Sequence, residues 1–261
     1  MKKYRSFVAL ISVTDTETEQ VMRLYNWKKK SFSGDAQVYY EASFLRDGQP
    51  FKVVTARQDE MGMTASATLS MKLIRHFKPQ YLIMVGIAAG VILPDVEDQL
   101  YGDVVLADVV WNYSSGKFVS PEKADIRFGE MGFIPRPTVV RLKKELMPYI
   151  KEAVDSPENE THVYIGPMAS GSAVVANQEV LNKQIRHSFH NTAGLDMEAY
   201  AVMYAAEHAI EPRPTPIVAK SVCDYADSRK SDQYQKFAAF TSCQFAKLLY
   251  EKYLPAEDEL S

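Results

Sequence analysis

Short apolar runs alternate along the chain with segments in which apolar residues recur every three or four positions. The runs are rich in β-branched residues, which is typical of strands buried in a sheet. This pattern predicts strands over residues 4–13, 37–44, 51–56, 81–86, 103–111, 162–168 and 216–222.

Helical periodicity is clearest over residues 62–77, where apolar residues from Met63 to Ile74 recur at spacings of four, four and three. Pro79 prevents this helix from continuing. Similar stripes predict helices over residues 137–154, 177–189, 197–210 and 232–253. Strands that alternate with such helices form a sheet covered by helices, so the pattern predicts an α/β fold.

Composition agrees with one packed domain over residues 1–254 that is followed by an acidic tail over residues 255–261. Hydrophobic residues make up 46% of the chain and charged residues 24%, which is ordinary for a globular protein. Thirty basic and thirty-three acidic residues give a formal net charge of -3. This charge creates no field that would recruit a nucleic acid polymer or an anionic membrane, so we expect a small-molecule partner.

The cysteine content and the hydropathy of the chain indicate a cytoplasmic protein. Cys223 and Cys243 are the only cysteines, and no basic stretch at the amino terminus precedes an apolar segment with a cleavage site. The longest apolar run, residues 81–93, contains two glycines and is shorter than the roughly 20 residues of a membrane span. We therefore expect reduced thiols and no membrane span.

Several common catalytic motifs are absent. His187 and His190 are spaced i,i+3 without a cysteine or carboxylate partner, which fits a polar helix face better than a metal site. The sequence contains no dinucleotide fingerprint, no Gly-Lys-Ser/Thr phosphate loop and no G-x-S-x-G elbow around a nucleophilic serine. We expect neither a metal nor an organic cofactor.

Two segments of small residues follow predicted strands and could approach a ligand closely. Ala88, Ala89 and Gly90 would let a sugar or base reach the backbone, although a tight turn explains them as well. In residues 166–175, glycine and serine free the backbone, and Val174 and Val175 could line a flat apolar slot for a purine. A strand followed by an ordinary loop is the structural alternative for that segment.

Acidic residues stand at two further strand or helix ends. Asp196 fits a helix N-cap and Glu198 the first helical turn, where the helix dipole favours carboxylates. As a functional alternative, Glu198 would accept hydrogen bonds from vicinal ribose hydroxyls while Met197 packs against the sugar. Asp224 ends an apolar strand, and burial of such a carboxyl favours the protonated form that can donate a proton. Asp227 fits a cap or a loop carboxylate.

Taken in order, these segments resemble the nucleoside phosphorylase superfamily, most closely its methylthioadenosine/S-adenosylhomocysteine nucleosidases. Residues 195–199 are similar to the family's acidic-Met-Glu ribose clamp. Residues 221–227 are similar to its Ser-Asp-x-Ala-Asp segment, which adds Ser221 to the candidate site. Residues 166–175 and 85–90 resemble its base-binding and ribose loops. The resemblance implies a three-layer α/β/α fold with a central mixed, twisted sheet, and a homodimer.

The resemblance also implies residue roles. Asp224 would protonate a purine at N7 while the ribose passes through an oxocarbenium-like state, and Glu198 would bind the 2′ and 3′ hydroxyls. The family uses a glutamate after its first strand, near the attacking water, for which the chain offers Glu17 and Glu19. We prefer Glu17, because apolar residues from position 21 onwards then follow at helical spacing.

The nucleophile and the 5′ group of the substrate are less constrained. Phosphorylases of the superfamily place an arginine where this chain has Met84, so hydrolysis is favoured over phosphorolysis. Ile87, Ala89 and Val174 depart from the serine, glycine and aromatic residue usual in the methylthioadenosine enzymes, which leaves the exact substrate open.

Basic residues near the predicted strand that ends at Asp224 leave nucleotides open as substrates. Lys220, Arg229 and Lys230 could bind the 5′ phosphates of AMP or ATP, or they could be solvated charges at a strand end and a loop. The resemblance admits nucleotides, since the superfamily includes relatives that hydrolyse them, some in antiphage systems. A phosphorylase, a nucleoside-binding module without turnover and a purely structural domain are the remaining alternatives.

Overall fold

A computed structural model describes residues 3–91, 99–124, 126–128, 131–176, 181–186, 188–226 and 232–257. Within them, most strands join one mixed sheet that comprises β1 (Ser6–Ser12), β2 (Lys28–Lys30), β3 (Tyr39–Arg46), β4 (Gln49–Arg57), β5 (Pro79–Gly90), β6 (Val104–Asn112), β10 (Val139–Arg141), β11 (Val163–Ser170), β12 (Gly194–Asp196) and β13 (Thr215–Asp224). A separate antiparallel sheet contains β7 (Gly116–Val119), β8 (Ile126–Phe128) and β9 (Met131–Pro135).

Helices cover both faces of the large sheet and bury a separate apolar core on each. The α-helices are α1 (Asp15–Met22), α2 (Met63–Phe77), α3 (Met147–Val154), α4 (Ala199–Glu207) and α5 (Gln235–Leu248), the last of which continues as a π-helix over Leu249–Tyr253. One core contains Leu73 of α2 and Val202 of α4, whereas the other contains Ile150 of α3 and Phe245 of α5. The predicted three-layer α/β/α fold with a mixed sheet is confirmed.

Part of the large sheet closes on itself, and this closure gathers the strand ends that surround the candidate site. The strand order is β10-β6-β11-β12-β5-β1-β4-β3-β2, and β13 pairs with both β5 and β6. A ring of β6, β11, β12, β5 and β13 results. β13 runs parallel to β5 and antiparallel to β6, so the carboxyl ends of β5 and β13 lie side by side.

The predicted strands are confirmed, and β5 is longer than expected. Residues 87–90, predicted to follow the strand, remain part of it because Ile87 and Ala88 pair with β13 and Ala89 pairs with Leu195 of β12. Tertiary pairing thus extends a strand across a glycine-containing segment.

The helix predicted over residues 137–154 is wrong in its first part. Val139–Arg141 forms β10, because it pairs antiparallel with Val109–Trp111 of β6 and gives the backbone of that strand its hydrogen bonds. The helix α3 begins only at Met147, where Pro148 stands in the first turn. In the segment predicted as a helix over 177–189, Leu181–Arg186 is a π-helix, while residues 177–180 and 187 lie outside the described residues.

The end of the chain is anchored where the predicted acidic tail begins. The carbonyl oxygen of Pro255 accepts hydrogen bonds from Gln80 Nε2 at 2.9 Å and Tyr81 Oη at 2.8 Å. Residues 258–261 lie outside the described residues. In the described part of the chain, no helix has the length and apolar character to cross a membrane.

Candidate active site

A cavity of about 160 Å³ lies where β5, β12 and β13 end and α1 begins. The structure brings most of the sequence-predicted site residues to its wall, namely Glu17, Ala88, Ala89, Val174, Val175, Asp196, Met197, Glu198 and Asp224. These residues come from five separate parts of the chain and converge on one space. Their chemistry follows from how each carboxylate is held.

Ser221 and Gly90, which the sequence analysis also assigned to the site, are not brought to the cavity. Ser221 is fully buried, and Thr241 of α5 donates a hydrogen bond to its Oγ over 3.0 Å. At Gly90, a Cβ atom would overlap the Gln99 side-chain oxygen and lie 2.9 Å from Val222 Cγ1. The small size of Gly90 thus makes room for Gln99 in the core and not for a ligand.

Glu17 reaches the cavity because the first turn of α1 fixes its side chain from several sides. Its Oε2 accepts hydrogen bonds from the backbone N–H groups of Val13 at 2.8 Å and Thr14 at 2.9 Å, and Thr14 Oγ1 completes a capping box by accepting from Glu17 N. Its Oε1 accepts from Ile87 N at 2.8 Å. Burial raises the pKa of Glu17, although Lys220 and these backbone donors oppose the rise.

Gly86 makes this position of Glu17 possible. Gly86 has a φ of +140°, and a Cβ atom there would overlap the Glu17 carboxylate. Glu19, the other glutamate of the segment, lies on the surface and forms ion pairs with Arg23 and Lys236. The structure thus brings Glu17 into the cavity and leaves Glu19 outside it.

Lys220 forms a buried ionic cluster with two of the predicted acidic residues. The side chain is 1% exposed, and its Nζ lies 2.8 Å from Asp196 Oδ2 and 3.0 Å from Glu198 Oε2. Burial by itself would lower the pKa of Lys220, but the attraction of Asp196, Glu198 and Glu17 outweighs it and raises the pKa. Lys220 is therefore neither a solvated charge nor a free phosphate ligand. Asp227, Arg229 and Lys230 lie outside the described residues.

Glu198 is held at both oxygens. Its Oε1 accepts a hydrogen bond from Gly62 N at 2.9 Å, while Oε2 faces Lys220. The helix α4 begins after Glu198, which makes Glu198 the N-cap residue and corrects its expected place in the first turn. Asp196 ends β12 and is not the N-cap, but its Oδ2 still accepts from Ala199 N at 2.8 Å.

Asp224 is the last residue of β13 and is almost fully buried. Its Oδ1 accepts a hydrogen bond from Ala226 N at 2.9 Å, and the thiol of Cys223 lies 3.4 Å from its Oδ2. The carboxyl group faces the same cavity as Glu17 and Glu198. Three carboxyl groups from different elements thus share one space.

An apolar wall completes the cavity, and part of it escaped the sequence analysis. Val174 and Val175 lie there with Tyr113, whose hydroxyl donates a hydrogen bond to Ala173 O. Burial raises the pKa of Tyr113 to about 12, so the phenol is neutral. Met61 also lines the cavity. Both residues had a signal in the sequence, since Tyr113 follows the predicted strand over 103–111 and Met61 directly precedes the helix predicted from residue 62.

Among the described residues, no three His, Cys, Asp or Glu side chains are grouped so that they could hold a metal ion. The cluster around Lys220 instead pairs its carboxylates with an ammonium group.

A family model of the phosphorylase superfamily matches residues 8–251. The chain belongs to this superfamily. Protein y4jS of Sinorhizobium fredii is 30% identical over 85% of this chain and 54% of its own length. The ATP nucleosidase Cap17 of Escherichia coli is 26% identical over 77% of this chain and 42% of its own length. The chain thus spans about half the length of these curated relatives.

The fold is also that of solved structures. A Streptococcus pyogenes S-adenosylhomocysteine nucleosidase in complex with 5-methylthiotubericidin matches with a TM-score of 0.75 and 22% identity, over 98% of this chain and 99% of the other. The predicted superfamily and its fold are therefore confirmed.

Proposed function

We propose that this protein hydrolyses the N-glycosidic bond of an adenine nucleoside or nucleotide and releases the free base. The observation that carries the proposal is the convergence of Asp224, Glu17 and Glu198 on one partly apolar cavity. Superfamily membership and the nucleosidases among its relatives support it.

In the proposed reaction, Asp224 gives its carboxyl proton to N7 of the purine while the C1′–N9 bond breaks. The electron pair of that bond moves to N9, so the base leaves without net charge. The oxygen of a water molecule bonds to C1′, and the proton it loses passes to the Glu17 carboxylate. The pKa of Glu17 is raised by burial, which makes its carboxylate a stronger base.

Glu198 binds the ribose in this mechanism. Each carboxylate oxygen has two lone pairs, so Glu198 can accept from a sugar hydroxyl while Gly62 N and Lys220 keep their contacts. Those contacts hold the carboxylate in place before the substrate arrives. Val174, Val175 and Tyr113 supply the apolar wall against which the purine packs.

The charges of the cavity favour water over phosphate as the nucleophile. Among the described lining residues, the cationic side chain is Lys220, and two carboxylates already neutralise it. A phosphate dianion would meet Glu17, Asp196 and Glu198, and the described lining offers it no arginine. A water molecule carries no such charge.

A substrate panel tests the proposal. We expect the purified chain to release adenine from at least one of adenosine, methylthioadenosine, AMP and ATP without added phosphate. Release only with phosphate would establish a phosphorylase, and tight binding without release would establish a binding module.

Substitution of Asp224 tests the assignment of the acid. Asp224→Asn keeps the shape but cannot give the proton, so base release should fall by about 10²–10⁴-fold. Asp155→Asn, on an exposed helix end, is the matched control and should keep full activity. Unchanged turnover by Asp224→Asn would remove Asp224 from the mechanism.

A second cavity beside the first offers polar room for a 5′ substituent. It has a volume of about 470 Å³ and shares Met61 and Met197 with the first, and its lining includes Thr64, Thr68, the carboxylates of Asp59 and Glu60, and Lys72, which pairs with Asp35 at 2.7 Å. A 5′ substituent that passes between the two methionines would enter this polar space. We expect Thr64→Glu to weaken turnover of ATP by charge repulsion while that of adenosine is unchanged. Equal loss with both substrates would contradict this route.

We further propose that the protein is a cytoplasmic homodimer. Met71 and Ile210 line an apolar groove beside α2, and both are exposed, Ile210 by 87%. Such surface is usually covered by a partner. Reduced thiols at Cys223 and Cys243 support a reducing compartment, which cell fractionation would test.

A further inference from the structure

A bulge at the end of β13 turns two consecutive side chains towards the same cavity. Val222 pairs with Ala88 and Asp224 with Ala89, which leaves Cys223 as an extra residue between the two pairs. Neighbouring side chains of a regular strand point to opposite faces, yet Cys223 and Asp224 both line the cavity. The bulge therefore brings a thiol beside the proposed catalytic acid.

Cys223 is buried, and its Sγ lies 3.4 Å from Asp224 Oδ2 with the geometry of an S–H donor. Ala226 N donates to the other oxygen. Ser221, the serine that the sequence comparison aligned with the family motif, faces α5 instead. The residue directly before the acid, where the family motif has a serine, is thus a cysteine.

We propose that Cys223 is a positioning residue that orients the Asp224 carboxyl and sets how tightly it holds its proton, an inference that rests on the proposed nucleosidase function. A donor to a carboxylate favours the ionised form, and a thiol is a weaker donor than a hydroxyl. Cys223 thus holds the orientation of Asp224 while it stabilises the carboxylate less than serine would. The thiol keeps its own proton, and the proton that reaches N7 of the purine comes from Asp224.

Among the described residues, the other titratable groups that line the cavity with Asp224 are the same in every variant considered below. They are Glu17 on α1, Tyr113 after β6, Asp196 and Glu198 between β12 and α4, and Lys220 on β13.

The pH profile of kcat/KM for adenine release tests the proposal in Cys223→Ser and Cys223→Ala. Activity requires protonated Asp224, so it is lost as the pH rises through the pKa of that group. Serine donates more strongly and should move this alkaline limb to lower pH, while alanine removes the donor and should move it to higher pH. For alanine we expect a shift of about 0.4–1.1 pH units, since one hydrogen bond contributes about 0.5–1.5 kcal/mol and one unit corresponds to about 1.36 kcal/mol. For serine we expect a smaller shift, because one donor replaces another.

Ser221→Ala is the matched control, because it alters the same strand on the side away from the cavity. The alkaline limb of its pH profile should coincide with that of the parent protein. The proposal is overturned if the alkaline limbs of both Cys223 variants coincide with that of the parent protein, or if both limbs shift in the same direction. Thermal unfolding identifies a variant that fails to fold.

A second measurement separates this inference from the proposed function. The titration of the Asp224 carboxyl, followed by its ¹³C resonance in the same variants, does not require turnover. The order serine, cysteine, alanine from low to high pKa supports the role of Cys223 even if no substrate of the panel is cleaved. An identical titration in all three contradicts it even if base release is fast.

Discussion

At the scale of single residues, charge pairing organises the cavity. Lys220 has almost no contact with solvent and faces Asp196 and Glu198 at hydrogen-bond distance. Buried ions are tolerated only when they are paired, because desolvation is costly. The lysine thus allows two carboxylates to remain in a space that must also admit a substrate.

Lys220→Met should lower the free energy of unfolding by about 3–5 kcal/mol, because two buried carboxylates lose their partner. The pKa of Lys220 is raised, so its contribution is fully present below the ordinary lysine value of about 10.4 and is lost only as the pH rises through the raised value. The difference from the parent protein, measured by urea unfolding, should therefore be constant between about pH 7 and 9.

Lys247→Met gives the matched comparison, since Lys247 lies at the surface 3.8 Å from Glu251. This substitution should lower the free energy of unfolding by less than about 1 kcal/mol. Equal costs for the two lysines would contradict the buried pairing.

The pH dependence of turnover should also report Glu17. Burial raises its pKa above the ordinary 4.5, and it accepts a proton only when ionised. The acid limb of kcat/KM should therefore lie above pH 4.5 and should be absent in the slow residual activity of Glu17→Gln. Glu19→Gln, on the surface of the same helix, should keep the parent profile. An acid limb that survives in Glu17→Gln would assign the base elsewhere.

At the scale of secondary-structure elements, close contact between β5 and α1 sets the position of Glu17, the proposed general base. Ile87 N of β5 donates to Glu17, and the absent side chain of Gly86 leaves room for its carboxylate. Two elements with their own backbone hydrogen bonds thus fix one functional side chain. Gly86, which has no reactive side chain, thereby acquires a functional role.

Gly86→Ala should reduce base release by about 100-fold, because the new methyl group displaces Glu17 from its position. Gly48→Ala separates this effect from backbone strain, since Gly48 also has a positive φ of +75° but has open space around it. The control should lose about 1–2 kcal/mol of stability and keep its activity. Equal activity in the two variants would contradict the role of Gly86 in placing Glu17.

At the scale of the whole molecule, the groove beside α2 is the surface that we assign to the second subunit. Ile210→Asp should place a charge in this interface and convert the dimer to a monomer in light scattering. Leu45→Asp is the control, because Leu45 is also exposed, by 73%, but lies on β3. A parent protein that is monomeric, or a dimer unaffected by Ile210→Asp, would contradict the assignment.

The sequence by itself determined the elements whose signal is local. The strands β1 and β13 are short runs that are buried at every position, and the helix α2 carries one apolar stripe, so each signal lies in consecutive residues. The acidic residues Glu198 and Asp224 stand at element ends, which is where a sheet of this class exposes side chains to ligands. Most of the candidate site therefore follows from the pattern.

Only the tertiary structure decided the contacts that depend on distant residues. Lys220 is buried because Asp196 and Glu198 converge on it, and β10 is a strand because β6 offers it an edge. The side chain of Cys223 faces the cavity together with that of its neighbour Asp224 because a bulge shifts the register of β13 by one residue. A one-residue shift reverses which side chains face the cavity, and the partner strand that fixes it is more than 100 positions away in the sequence.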